Sequence, residues 1–168
     1  MKITLALIDD RFIHGQVTAG WCQILQPDHL LLSNNEIAAD PWQCRVYSSS
    51  VPPEIRVSIQ NTSETAVYLH QPPATTTATE DVILITGNPQ DMLFLHRYGV
   101  ALTEINVGGM HYAPGKLEVL PFVYLDRQDI ASMRSLLAAG AKLSARQVPG
   151  AKETVIDPEM LVKLEARL

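Results

Sequence analysis

Short apolar runs alternate along this chain with longer amphipathic stretches, and no other feature constrains the fold as strongly. The runs are rich in β-branched residues, and several are apolar almost throughout, which is typical of strands covered on both faces. The predicted strands are residues 3–8, 29–33, 54–59, 81–86, 104–107, 122–125 and 143–148. The alternation predicts an α/β fold: a doubly wound, mainly parallel central sheet of about six or seven strands with helices on both faces.

Five stretches have the apolar spacing or the end signals of helices. Three begin with a capping residue followed by proline: Asp40-Pro41, Asn88-Pro89 and Asp157-Pro158. The predicted helices are residues 15–25, 40–47, 89–98, 126–139 and 157 to the end. Residues 71–80, with two prolines and a threonine-rich run, predict a surface loop. Because neither a linker nor an internal repeat interrupts the alternation, we predict a single domain over residues 1–168.

Charge and composition narrow the class of protein. The 13 Lys and Arg against 18 Asp and Glu give a net charge of −5, which argues against sequence-independent binding of nucleic acid. An apolar content of 46% is enough for a core. Asp9-Asp10 stands where a signal peptide needs small residues, and no apolar stretch approaches the roughly 18 to 20 residues that span a bilayer. We therefore predict a cytoplasmic protein with no direct membrane insertion, whose two cysteines, Cys22 and Cys44, are buried free thiols.

The segment LIDDRFIHGQV, residues 7–17, concentrates polar chemistry at the end of a predicted strand. It supplies Asp9, Asp10, Arg11 and His14 and then enters a predicted helix at Gly15. In an open α/β sheet, ligands bind in the crevice outside the carboxyl ends of the strands. This position makes the segment the candidate functional site.

The residue types in this segment suit a phosphoryl acceptor. Such a histidine needs a neutral ring nitrogen and an orienting bond to the other nitrogen, which Asp9 or Asp10 can supply to His14. Arg11 can neutralise the phosphate through charge-assisted hydrogen bonds. Backbone N–H groups from Gly15 and Gln16 onward favour an anion at a helix start. This chemistry requires no metal and no cofactor.

Residue types alone leave other interpretations open. The acids and Arg11 can form a turn with a surface ion pair, and His14 can be a capping or core histidine. A small-molecule hydrolase or lyase would use His14 with an aspartate as base and acid, with a second acid near His111. An anion-binding module would need only Arg11 and the helix start.

A resemblance to a known family predicts a specific function, which the spacing of the residues alone does not. The ten residues IDDRFIHGQV, 8–17, resemble the active-site segment of the mannose/fructose/sorbose family of phosphotransferase system (PTS) enzyme IIB components, usually IDDRLIHGQV with the histidine phosphorylated. The likeness extends to most of the chain, in order, with SNNEIAAD at 33–40, NPQD at 88–91, INVGGM at 105–110 and GAKLSARQVP at 140–149.

The resemblance implies a function and a partner set. His14 would take a phosphoryl group from a phosphohistidine of PTS IIA and pass it to a sugar held by the membrane subunits IIC and IID, with Arg11 neutralising the phosphate. Asp9 and Asp10 match acidic positions, of which one orients the imidazole or shapes the loop. A loop near the phosphate would contain Asn106, Gly108 and Gly109.

The chain also departs from the family pattern. Phe12 replaces leucine, Leu7 stands where arginine is usual, and Thr86-Gly87 stands where Phe-Lys is common, so two cations are missing. Such charges govern encounter rate and partner choice. A regulatory phosphorelay with the same His14 chemistry therefore remains an alternative to sugar transport, and the sequence is compatible with a homodimer.

Several other residues receive structural interpretations. Gly108-Gly109 lacks a full nucleotide-loop pattern and predicts a tight turn that brings the backbone near a ligand. His111 is predicted to be an exposed loop histidine. The tryptophans at helical positions, Trp21 and Trp42, are predicted to be buried, and three further histidines are predicted at partly exposed boundaries: His29, His70 and His96.

Overall fold

The computed structural model of the chain describes residues 1–70 and 79–168. In these residues one sheet contains seven strands: β1 (Lys2–Asp9), β2 (His29–Ser33), β3 (Arg56–Gln60), β4 (Asp81–Thr86), β5 (Glu104–Gly109), β8 (Lys142–Ala145) and β9 (Thr154–Ile156). Two further strands, β6 (Leu117–Leu120) and β7 (Val123–Leu125), pair antiparallel in a separate ribbon. The seven strands follow the order β3-β2-β4-β1-β5-β8-β9, and all pairs are parallel except β8 with β9.

Helices cover both faces of this sheet. The helical segments are a π-helical stretch (Gln16–Trp21) that continues into α1 (Cys22–Leu25), then α2 (Asn35–Ala38), α3 (Pro41–Ser49), α4 (Thr62–His70), α5 (Pro89–Arg97), α6 (Arg127–Ala138) and α7 (Pro158–Glu165). One apolar core contains side chains of α4 to α7, and the other contains side chains of the π-helical stretch, α1 and α2. The doubly wound, mainly parallel α/β prediction is therefore confirmed.

The predicted strand 122–125 was wrong as a member of the central sheet. Val123–Leu125 pairs with β6. The edge of the main sheet beside β8 is instead formed by β9, which was not predicted. A three-residue apolar run forms a strand but does not reveal which sheet it joins, because pairing depends on contacts distant in sequence. The last predicted strand is also shorter than expected and ends at Ala145.

Helix α4 was not predicted, although the sequence contains a signal for it. Its β-branched residues blur the helical pattern. Asn61 and Glu64 nevertheless form a capping box, in which Asn61 Oδ1 accepts the Glu64 N–H at 2.8 Å and the Glu64 carboxylate accepts the Asn61 N–H at 3.3 Å. The spacing N-x-x-E therefore marks the start of this helix.

Burial separates the two tryptophans. Trp21 is 3% exposed, as predicted, but Trp42 is 67% exposed, and its predicted burial was wrong. Helix α3 turns Cys44 and Tyr47 toward the core, so Trp42 lies on another face.

Both cysteines are free; Cys22 is buried, whereas Cys44 is only partly buried. Most of the predicted loop 71–80 lies outside the described residues. Of the helices that are described, none has both the length and the apolar character of a membrane-spanning segment.

His29, predicted at a boundary, is instead completely buried at the start of β2. Its Nδ1 lies 3.2 Å from Nη2 of Arg56, which donates to it, and its Nε2 lies 2.9 Å from Oγ of Ser58. Burial, and secondarily the charge of Arg56, lowers the pKa of His29 from 6.5 to about 4, while Glu80 acts in the opposite direction.

We expect this histidine to weaken the fold as the pH falls from 6.5 to about 4. In the unfolded chain His29 gains a proton near 6.5, whereas the folded protein resists it until about 4, so acid favours unfolding. The loss amounts to about 3 kcal/mol across this window. Urea unfolding at several pH values should show a shallower dependence for His29→Gln than for the wild type. Identical pH slopes would contradict the assignment.

Candidate functional site

The strand topology opens a crevice at the end of β1. This strand lies between β4 and β5. The chain leaves β1 toward the face covered by the π-helical stretch, whereas the helices after β4 and β5 pack on the other face. A crevice of this kind, outside the carboxyl ends of parallel strands, is where α/β proteins bind ligands. The segment 7–17 therefore lies where the sequence pattern predicts it.

His14 is held by its own loop and faces a carboxylate. Phe12 adopts a left-handed conformation with φ of 59°, and its carbonyl oxygen lies 2.9 Å from His14 Nδ1. A carbonyl only accepts, so Nδ1 carries the proton in this arrangement. Nε2 lies 3.7 Å from Asp9 Oδ2, is buried, and has no hydrogen-bond partner among the described residues. The side chain as a whole is 19% exposed.

Asp9 and Arg11 form a two-point ion pair beneath this ring. Asp9 is 1% exposed. Its Oδ1 accepts from Nε of Arg11 at 2.9 Å, and its Oδ2 accepts from Nη2 at 2.7 Å. The Arg11 backbone N–H also donates to Oδ1, at 3.0 Å. Oδ2 is the same oxygen that faces His14, so one buried carboxylate binds the guanidinium and lies 3.7 Å from Nε2 of the imidazole.

Gly108 and Gly109 leave room for this ion pair. They end strand β5, so the prediction of a tight turn was wrong. A Cβ at Gly108 would lie 2.7 Å from Asp9 Oδ2, and one at Gly109 would lie 2.8 Å from Arg11 Nη2. Arg11 Nη2 also donates to the Gly108 carbonyl at 3.3 Å. The close approach inferred from the glycines is therefore to the Asp9–Arg11 pair.

Asp10 binds a different histidine, His111. Its Oδ2 accepts the backbone N–H of His111 at 2.7 Å, and its Oδ1 lies 2.6 Å from His111 Nδ1. His111 is exposed, as predicted, but the pairing with Asp10 was missed. Because β1 ends at Asp9, the direction of the Asp10 side chain is set by the loop that follows, and no sequence signal distinguishes the two acids. Lys116, further along the chain than the glycine pair, donates from Nζ to Oδ2 of Asp129 at 2.9 Å.

The remaining predicted site residues differ in how they relate to His14. Asn106 is 5% exposed and donates from Nδ2 to the Arg146 carbonyl at 2.8 Å; in the part of the chain that the structure describes it forms no hydrogen bond with His14. Gly15 has right-handed backbone angles and open space around it. Gln16 begins the π-helical stretch, whose first turn closes on the His14 carbonyl. Gly15 and Gln16 thus directly follow the histidine, whereas Asn106 supports the neighbouring strand.

Two departures from the family pattern pack against each other. A Cβ at Gly87 would lie 2.6 Å from Cε1 and 2.9 Å from Cζ of the Phe12 ring. The same ring also meets Tyr47 edge-on, with centroids 5.9 Å apart. The larger ring at position 12 therefore fits because position 87 lacks a side chain.

Gly87→Ala is expected to destabilise the protein by about 1 to 3 kcal/mol, because the added methyl group overpacks the Phe12 ring. Adding Phe12→Leu should recover most of this loss, since leucine is smaller, and urea unfolding of the wild type, both single variants and the double variant measures the coupling. Gly150→Ala is the matched control, because nothing lies within 4 Å of its Cβ position. Equal effects of Gly87→Ala in the wild-type and Phe12→Leu backgrounds would contradict the packing.

Known proteins match nearly the whole chain. The family model described as "PTS system sorbose subfamily IIB component" matches residues 3–167. A sorbose-specific EIIB component of Klebsiella pneumoniae is 35% identical over 148 residues, 88% of each chain. A mannose-specific EIIAB component of Escherichia coli (strain K12) is 34% identical over 148 residues, which are 88% of this chain and 45% of the relative. The crystal structure of the IIBSor domain of the K. pneumoniae sorbose permease superposes with a TM-score of 0.88 at 32% identity, covering 97% of this chain and 98% of that one.

Proposed function

Because the chain belongs to the family of sorbose-subfamily PTS IIB components, we propose that His14 is the residue on which it carries the phosphoryl group. The protein is a phosphoryl carrier of a sugar phosphotransferase system and thus a phosphotransferase. The observation that most supports His14 as the carrier residue is the position of Asp9 Oδ2. This oxygen lies 3.7 Å from Nε2 of His14 and 2.7 Å from Nη2 of Arg11. A buried carboxylate and a guanidinium fixed beside one imidazole suit a transient covalent phosphate.

We propose Nδ1 as the nitrogen that accepts the phosphoryl group. Nε2 is buried and faces the Asp9 carboxylate, so a phosphate there would meet a negative charge. When the proton resides on Nε2, toward Asp9, the lone pair lies on Nδ1, and the contact with the Phe12 carbonyl opens. Nδ1 then attacks the phosphorus of the donor phosphohistidine. A new N–P bond forms, the donor N–P bond breaks, and its electron pair returns to the donor nitrogen.

The surrounding groups have distinct proposed roles. The charge of Arg11 complements the phosphoryl oxygens, and the backbone N–H groups of Gly15 and Gln16 donate to them. Gly108 and Gly109 act indirectly, because they keep space for the Asp9–Arg11 pair. The site predicted from the sequence also includes Asn106, for which we propose a supporting role through Arg146.

The partners follow from the family. IIB components work with IIA and with the membrane subunits IIC and IID. For this chain we propose a IIA protein as donor and a sugar bound by IIC and IID as acceptor. The relatives are named for sorbose and for mannose, so the sugar does not transfer by similarity. We also propose that residues 1–168 are one domain of the sorbose-type IIB class and that it works in the cytoplasm, where phosphoenolpyruvate is made.

The proposal is tested by reconstitution. The protein is incubated with phosphoenolpyruvate, enzyme I, HPr and a IIA component, and acid-labile phosphate is measured, with ³¹P NMR to identify the nitrogen. Membranes containing IIC and IID, together with a sugar, are then added. We expect phosphorylation followed by discharge to the sugar. Phosphorylation without discharge would favour the regulatory relay, and no acid-labile phosphate would contradict the carrier role of His14.

A further inference from the structure

A cleft of about 340 Å³ lies beside the Asp9–Arg11 pair. Its lining includes Arg11, Gly109, His111, Tyr124 and Gln147. Arg11 thus contacts the proposed phosphorylation site through Asp9 and also faces this cleft. A donor protein that brings a phosphoryl group to His14 must present it close to Arg11. The cleft therefore reaches the guanidinium that the proposed function places beside the phosphoryl group.

His111 is oriented at the edge of this cleft by Asp10. Both oxygens of Asp10 are engaged, one by the His111 backbone N–H at 2.7 Å and the other by Nδ1 at 2.6 Å. A carboxylate only accepts, so Nδ1 carries a proton, and Nε2 carries one as well only when the ring is protonated. Nε2 has no hydrogen-bond partner among the described residues, and the side chain is 68% exposed. Asp10 therefore leaves Nε2 available to a molecule that binds from outside.

The charge balance at the site calls for a second cation. Arg11 is paired with Asp9, so the two charges largely cancel, whereas a phosphoryl group brings a charge of about −2. Two other cations are engaged elsewhere: Lys116 binds Asp129, and Arg146 packs over the ring of Trp21 with its centre 5.2 Å from the centroid. The protonated form of His111 donates from both ring nitrogens, so Nδ1–H binds Asp10 while Nε2 offers a second N–H.

We propose that His111 is a second catalytic residue of the transfer reaction, whose Nε2–H, present in the protonated ring, contacts the phosphoryl oxygens as the group passes from the donor phosphohistidine to His14. Asp10 is its positioning residue. This inference rests on the proposed function. It adds a hydrogen-bond donor for the negative charge on the phosphoryl oxygens during transfer, and such donors accelerate transfer when they are preorganised.

Two substitutions separate this role from a structural one. Asn at position 111 keeps a donor near the position of Nδ1, so it can still bind Asp10, but it lacks the outer nitrogen. Gln places its amide near the position of Nε2. We expect His111→Asn to slow phosphorylation of His14 by about 10- to 100-fold, and His111→Gln to retain much of the wild-type rate. Asp10→Asn should slow the reaction to an intermediate extent.

The measurement is a rapid-quench single turnover with phosphorylated IIA at several concentrations, alongside urea unfolding of each variant. His70→Asn, an exposed histidine at the end of α4, is the matched control and should keep the wild-type rate. A slower limiting rate for His111→Asn with the final extent of labelling intact supports the inference. An unchanged limiting rate, or a change only in the IIA concentration required, overturns it and leaves the role of His14 in place. A wild type that takes no label overturns both proposals.

Discussion

His14→Gln is expected to reduce phosphoryl acceptance to background. The substitution removes the only nucleophilic nitrogen that the proposed mechanism uses, and glutamine cannot form an equivalent N–P bond. The variant should fold normally, because the ring is only loosely engaged, with one hydrogen bond to the Phe12 carbonyl and a longer contact with Asp9. Its free energy of unfolding should lie within about 1 kcal/mol of the wild type. Radiolabelled phosphate from phosphoenolpyruvate, passed through IIA, measures the loss.

The matched control for this experiment is His70→Gln, which changes an exposed histidine on α4 and should label like the wild type. Both variants are compared at the same concentration of IIA, so that docking is held constant. Acid-labile phosphate on His14→Gln at the wild-type rate and extent would contradict the assignment of the carrier residue.

Arg11→Ala is expected to have the second largest effect, and it should act on stability and on transfer together. The Asp9 carboxylate is 1% exposed, so removal of the guanidinium leaves a buried charge without its partner. Breaking such a pair costs about 3 to 5 kcal/mol, which urea unfolding will show. The rate of phosphoryl transfer should also fall by about 100-fold or more, because a cation beside the transferring group is lost.

Two further variants separate these effects. Arg134→Ala removes an exposed arginine that pairs with Glu165, and should cost at most about 1 kcal/mol. Asp9→Asn combined with Arg11→Met removes both charges, so much of the stability should return while transfer remains slow. If Arg11→Ala is as stable as Arg134→Ala, the proposed burial of Asp9 is wrong. If the double variant transfers at the wild-type rate, Arg11 has no role in the chemistry.

The fold was largely predictable, because its main features are local. Strands buried on both faces give continuous apolar runs, and proline after a capping residue marks helix starts, as at Pro41 and Pro89. The shortest elements were not predictable in this way. Strand β9 contains three residues and is fixed by pairing with β8, a contact that no local pattern carries.

The location of the candidate site could be predicted from the sequence, but its contacts only in part. The end of β1 follows from the strand pattern, whereas the direction of each side chain depends on the loop that follows. Asp9 faces His14 and Asp10 faces His111, and the adjacent acids look equivalent in the sequence. Phe12 packs against Gly87, which is far from it in the sequence, so this contact could be found only in the structure.

The central claim is that one imidazole, His14, bears the phosphate. Its most direct test is electron-transfer fragmentation of the freshly phosphorylated, intact chain at alkaline pH, where phosphohistidine survives. We expect that after labelling through IIA the phosphate lies within residues 8–17 and on His14. Phosphate found on another residue, His111 included, with residues 8–17 unmodified, would contradict it.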